Sequence, residues 1–250
     1  MTRIILTGCC GKMGHVIQSI VSSRNDCEIV AGVDKYDSKD CDFPVYSSIN
    51  EVENEADAVI DFSNPSLLDD ILEYGKRTKT SLVIATTGYD DCQKKQIEQA
   101  SKECAVFFTY NYSMGVNLLA SLAKKAVEVL GDGFDIEIIE KHHNQKIDAP
   151  SGTALMLADA INEEVDNRMK YEYDRHSKRE KRTKNEIGIH AVRGGTIVGE
   201  HEIIFAGRDE IITLSHSARS KEIFAVGAVN AAVFMTGKER GMYDMSQLIK

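Results

Sequence analysis

The chain has 250 residues, 42% of them hydrophobic and 28% charged, proportions ordinary for a globular protein and ample for a buried core. Its formal net charge of −9 argues against a nucleic-acid footprint spread over the surface. No stretch approaches the roughly 18 consecutive apolar residues of a bilayer span, and MTRIILTG lacks the pattern of a secretory leader, so a cytoplasmic protein without a membrane partner is expected.

Elements alternate through the first 110 or so residues. Ile4-Ile5-Leu6 is a short β-rich run that enters a glycine loop, and Val16, Ile17, Ile20 and Val21 then recur at helical spacing. Residues 28–34 read as the next strand, followed by apolar runs at 58–62, 82–85 and 106–108, with helices near 66–78 and 90–103 between them. Strands alternating with helices imply βαβ units and a parallel sheet. Past residue 112 the rhythm changes: a long helix over 115–130, a strand over 134–139, a polar segment, then a helix over 153–164. Residues 166–186 carry eight Lys/Arg against five Asp/Glu and read as a solvated loop. Strand-like runs at 187–192, 202–206 and 211–214 follow without intervening helices, which suggests a mixed or antiparallel sheet, and a helix over 223–235 closes the chain. The expected class is α/β: an N-terminal Rossmann-type parallel sheet over 1–112, and a second α+β domain on a mixed sheet over 113–222.

Gly8-Cys9-Cys10-Gly11-Lys12-Met13-Gly14 joins the first strand to the first helix. Glycines there let the backbone turn tightly and approach a pyrophosphate, and the helix start offers N–H groups and a partial positive charge. Asp34 ends the second strand twenty residues after Gly14, where an acid binds adenosine ribose hydroxyls. The alternative is a glycine-rich turn with no ligand. Asp34 repels a ribose 2′-phosphate while Lys35 attracts one, so NADH is expected, with NADPH also usable. Ala85-Thr86-Thr87-Gly88 and Thr109-Tyr110-Asn111-Tyr112 fall at the ends of later strands, where they either hold the nicotinamide half or serve as ordinary turns. All six cysteines lie in the first 104 residues, none in a C-x-x-C pair or beside histidines at zinc spacing, so reduced thiols and no metal site are expected.

Residues 140–154, EKHHNQKIDAPSGTA, concentrate titratable and turn-forming groups. Strand alternation points His142 and His143 in different directions, and Lys146 reaches the same space. Ser151 is a natural N-cap, Gly152 admits a close ligand, and Thr153 lies in the first turn of a helix whose N–H groups suit a carboxylate or phosphate. Proton donors beside an anion cradle, in a chain with a dinucleotide loop, describe the reduction of a small acidic substrate. The competing readings are two structural histidines beside a capped helix, an amino-acid dehydrogenase, and a redox-sensing dinucleotide-binding regulator.

These motifs resemble one family. GCCGKMG, ATTG, NYSMGVN, RGGTIVGEH and above all EKHHNQKIDAPSGTA are similar to the dihydrodipicolinate reductases, also called 4-hydroxy-tetrahydrodipicolinate reductases. The resemblance implies the reductase step of diaminopimelate and lysine synthesis, with His142 and Lys146 as catalytic proton donors. His143, Gly152 and Thr153, with Ser151, would bind the carboxylates of a small dicarboxylate substrate. Gly8, Cys9, Cys10, Gly11, Lys12, Met13, Asp34, Lys35, Ala85, Thr86, Thr87, Thr109, Tyr110, Asn111 and Tyr112 would hold NADH or NADPH. It further implies that segment 223–250 completes the first domain and that the second domain builds a homotetramer. Two departures stand out: Lys12 and Lys221 occupy positions where arginine is common in the family.

Overall fold

A computed structural model describes residues 1–36 and 41–249. The chain divides into two compact units, Met1–Ser113 with Glu222–Lys250, and Met114–Lys221. Lys250, the last residue of the closing segment, lies outside the described residues.

The first unit opens with β1 (Thr2–Thr7), α1 (Lys12–Ser22), β2 (Cys27–Val33), β3 (Val45–Tyr46) and β4 (Ala58–Asp61). It continues with α2 (Leu68–Thr78), β5 (Ser81–Ile84), α3 (Asp91–Ala100) and β6 (Ala105–Phe108). The second unit holds α4 (Met114–Leu130), β7 (Asp135–His142), α5 (Gly152–Glu163), β8 (Lys170–Glu172), β9 (Glu186–Arg193), β10 (Gly199–Ala206) and β11 (Ile211–Ala218). The chain then returns to the first unit as α6 (Glu222–Met235), β12 (Gly241–Tyr243) and α7 (Met245–Leu248).

The first sheet runs β12-β6-β5-β4-β1-β2-β3, and every pairing is parallel. Every residue of β4 and β5 is buried, as expected of central strands covered on both faces. One face packs Ile4, Leu6, Ile60, Val83 and Phe107 against Ile17 of α1 and the alanine-rich α6. The other packs Ile5, Val59, Leu82, Ile84 and Val106 against Ile71 of α2 and Ile97 of α3. Each such side chain contributes roughly 1.5–3 kcal/mol of burial.

The second sheet runs β11-β10-β7-β9-β8 and is mixed: β10 is antiparallel to β11 and β7, while β9 is parallel to β7 and β8. Ile136, Ile138, Ile187, Ile189, Ile203 and Phe205 pack on Leu119, Ala123 and Val127 of α4 and on Leu157 and Ile161 of α5. The expected class is borne out in both sheets. Three local expectations change. β7 extends to His142, three residues past the expected end of the strand. β3 and β12, of two and three residues, are too short to leave a periodic signal. The 166–186 segment is not a bare solvated loop. It contains β8, and the Arg182 guanidinium donates to the carbonyls of Ile136 and Glu186 while pairing with Asp135 and Glu137. Mixed charge there reflects partnered groups.

Candidate active site

Because the first sheet is parallel, the carboxyl ends of β1, β2, β4, β5 and β6 share one edge, where open α/β sheets bind ligands. Gly8 turns at φ +74, and a Cβ there would stand 2.3 Å from the Phe62 carbonyl oxygen. A Cβ on Gly14 would meet the Cys9 carbonyl oxygen at 2.3 Å. Both glycines are therefore required by the turn itself. Gly11 caps α1 with no side-chain hydrogen bond, so the first helical N–H groups open beside exposed Lys12 and half-buried Met13. The Cys10 N–H donates to the Asp34 carboxylate at 3.0 Å, and the Tyr36 N–H does so at 3.2 Å. This ties the end of β2 to the loop. An uncapped helix start, a crowded glycine turn and a carboxylate at the next strand suit a dinucleotide. Lys35 is exposed.

The later loops are built partly for structure. The Thr86 hydroxyl accepts the Ser63 N–H at 2.8 Å, Ala85 is buried and Thr87 exposed. Thr109 and Asn111 bond within their own turn, and Tyr110 is exposed. Tyr112 differs from the expectation of an outward cofactor contact. Its ring lies in the core and its hydroxyl donates to the carbonyls of Ile84 (2.8 Å) and Phe107 (3.3 Å). Asp61 went unnoticed in the sequence. Fully buried at the end of β4, it accepts from the Thr7 hydroxyl (2.6 Å), the Ser63 N–H (3.2 Å) and the Tyr89 hydroxyl (3.0 Å), and so fastens three of these loops.

In the second unit, alternation along β7 places Ile136, Ile138, Glu140 and His142 on one buried face. The core row thus ends in a carboxylate and an imidazole. Register sets Glu140 opposite His201 of β10 and His142 beside Arg193 of β9. His142 Nδ1 lies 2.6 Å from Glu140 Oε2. Arg193 forks onto both oxygens of Glu140 at 2.7 Å each, and the Ser151 N–H adds a third donor at 3.0 Å. Burial pushes the Glu140 carboxyl up, but donation from Arg193, His142 and Ser151 outweighs it and holds the group below the ordinary range. The second ring nitrogen of His142 faces Gly199, where a Cβ would stand 3.1 Å from Nε2.

His143 points the other way and is partly exposed, as the alternation predicts. Lys146 pairs with Asp148 at 2.9 Å, which holds the Asp148 carboxyl below its usual range. Ser151 caps α5 by accepting the Ala154 N–H at 3.1 Å. The same hydroxyl lies 3.0 Å from His201 Nε2 and is buried, so Ser151 orders the cradle rather than facing outward. Gly152 is exposed, with nothing within 4 Å of a built Cβ, which leaves room for a ligand; Thr153 is partly exposed. Burial, then the neighbouring His142, pushes the His201 imidazole down to about 4. Glu140, Arg193 and His201 complete the cluster around His142 and Ser151, and spacing did not single them out. The available signal was a glutamate continuing the apolar alternation of β7.

Known proteins with this arrangement agree. Residues 2–112 match the family model for the N-terminus of dihydrodipicolinate reductase, and residues 115–249 match the model for its C-terminus. A 4-hydroxy-tetrahydrodipicolinate reductase of Caldanaerobacter subterraneus is 53% identical over 250 residues, covering 100% of this chain and 99% of the relative. One from Clostridium tetani is 51% identical over 249 residues, covering 100% and 97%. The solved dihydrodipicolinate reductase of Paenisporosarcina sp. TG-14, bound to dipicolinate, superposes with a TM-score of 0.78 at 26% identity over 98% of this chain and 97% of that one. With both family models matched in order along a chain that carries the paired sheets and the His142 cluster, the protein belongs to the dihydrodipicolinate reductase family.

Proposed function

We propose that the chain reduces 4-hydroxy-tetrahydrodipicolinate to tetrahydrodipicolinate with NAD(P)H, the reductase step of diaminopimelate and lysine synthesis. Family membership along the whole chain supports the reaction, and the observation that carries the residue roles is the Glu140–His142 pair beside the N-terminus of α5. The dinucleotide, when bound, supplies the hydride.

His142 is the proton donor or acceptor, through Nε2. Glu140 fixes the ring by Nδ1, and Arg193 keeps that carboxylate ionised. Lys146 is the second proton donor, held between turnovers by Asp148. His143, Gly152 and Thr153 take the substrate carboxylates with the first N–H groups of α5, and Ser151 shapes that turn. Both NADH and NADPH are used: Asp34 binds an unmodified ribose through its hydroxyls, and Lys35 offsets the cost of a 2′-phosphate. Gly8 to Met13, Ala85 to Thr87 and Thr109 to Asn111 contact the cofactor, with Tyr112 contributing main chain only.

The active form is a homotetramer in the cytoplasm. Opposite α4 and α5, the second sheet presents Glu137, Ile139, Glu202 and Ile204 partly exposed, a face suited to a second copy. Sedimentation giving a monomer at micromolar concentration would refute the assembly. Loss of NADH absorbance on adding the freshly formed cyclic imine, with none on adding aspartate, tests the reaction. Oxidation that proceeds equally without the imine would overturn it.

A further inference from the structure

The fold gathers three thiols that spacing kept apart. Cys9 and Cys10 lie in the glycine loop, Cys41 in the connection between β2 and β3, and their sulfurs all fall within 4.8 Å of one another. Cys9 and Cys10 Sγ are 3.8 Å apart. With zinc–thiolate bonds of about 2.3 Å, two sulfurs on one ion stand about 3.8–4.0 Å apart. The first pair already has that separation, and the widest needs to close by less than about 1 Å. None of the three is in a disulfide, and Cys9 is fully buried while the other two are partly exposed, so an ion enters from the Cys10–Cys41 side.

Asp34, whose carboxylate accepts the Cys10 N–H at 3.0 Å, adds an acidic group beside the sulfurs, which suits a cation.

We propose that Cys9, Cys10 and Cys41 form a trithiolate site for a soft divalent cation of the zinc–cadmium class, and that its occupancy excludes the dinucleotide from the glycine loop. Three S–H bonds are exchanged for three metal–sulfur bonds with release of up to three protons and no electron transfer; water takes any remaining position. Affinity therefore rises with pH. The exclusion follows because the Cys10 N–H and Asp34, which the ion would clamp, belong to the proposed cofactor loop; this half rests on that reading, whereas the ion site does not.

The test is equilibrium dialysis of the reduced, chelator-stripped protein against cadmium, with the ultraviolet thiolate-to-cadmium band as a second readout. One ion per chain, at least about tenfold weaker in both Cys41→Ser and Cys10→Ser and unchanged in Cys92→Ser, is expected for thiolate ligation. Failure to bind, or binding as tight as wild type by either Cys41→Ser or Cys10→Ser, overturns the site. Cadmium should raise the NADH dissociation constant in wild type and not in Cys41→Ser. Stoichiometric cadmium with unaltered NADH binding overturns the exclusion. Absence of NADH binding in the metal-free protein instead refutes the cofactor reading and leaves the dialysis result standing.

Discussion

The two candidate regions, the glycine loop and the end of β7, are made of different material. The glycine loop of the first unit works through backbone: Gly8 and Gly14 have no room for a Cβ, and α1 opens without a side-chain cap. The end of β7 works through side chains, with Glu140 buried under Arg193, His142 and the Ser151 N–H. The first should tolerate exchange of exposed side chains but not added bulk. The second should tolerate neither deletion nor isosteric replacement of its polar members, because each satisfies another.

The sharpest way to break this contrast is His142→Gln. We predict a kcat roughly 10²- to 10⁴-fold lower with an unchanged NADH dissociation constant; a variant with near-normal turnover would remove His142 from the proton-transfer role. Glu140→Ala should strand Arg193 beside a void and cost about 3–5 kcal/mol in denaturant unfolding. The Glu140→Leu/Arg193→Met double variant should recover much of that stability and none of the activity. If Glu140→Ala unfolds like wild type, the cluster is not structurally coupled.

His201 gives a pH signature that the glycine loop lacks. Its imidazole is pushed from 6.5 to about 4 in the fold, so the unfolded chain binds more protons between those values. Stability is then complete above pH 6.5 and falls by about 3 kcal/mol as pH drops to 4. His201→Gln should flatten that part of the curve, and an equal slope in the variant would exclude His201 as its source. Gly14→Ala should cost about 1–3 kcal/mol and weaken NADH binding, with kcat at saturation little changed. The smallest effect is expected from exposed Lys35→Ala: a several-fold rise in the NADPH Michaelis constant with none for NADH. An unchanged NADPH constant removes Lys35 from cofactor choice.

The contrast also explains what the sequence made legible. Backbone sites announce themselves, since glycines between an apolar run and a helical period have few other uses, and the central strands β4 and β5 read directly as unbroken apolar runs. The polar segment after β7 was equally plain, and Ser151 caps α5 as its position suggests. Glu140, Arg193 and His201 come together only through the register of three strands, which no local spacing encodes. Tyr112 misled for a related reason: a tyrosine in a polar loop looks outward until the fold turns its ring into the core. The Cys9–Cys10–Cys41 cluster was missed because metal motifs are sought at short spacing, whereas here a crossover connection supplies the third sulfur.

The return of α6 and β12 to the first sheet has a consequence for biosynthesis. Ala225, Ala228, Val229 and Met235 fill the face beneath β1 and β4, so that core cannot close until α6, more than 200 residues after β1, has emerged from the ribosome tunnel. A nascent chain halted at residue 221 would display a bare apolar surface over Ile4, Leu6, Ile60 and Val83. Such a truncated product is a natural client for chaperones and proteases, and quality control of this enzyme is in effect a check that α6 was made.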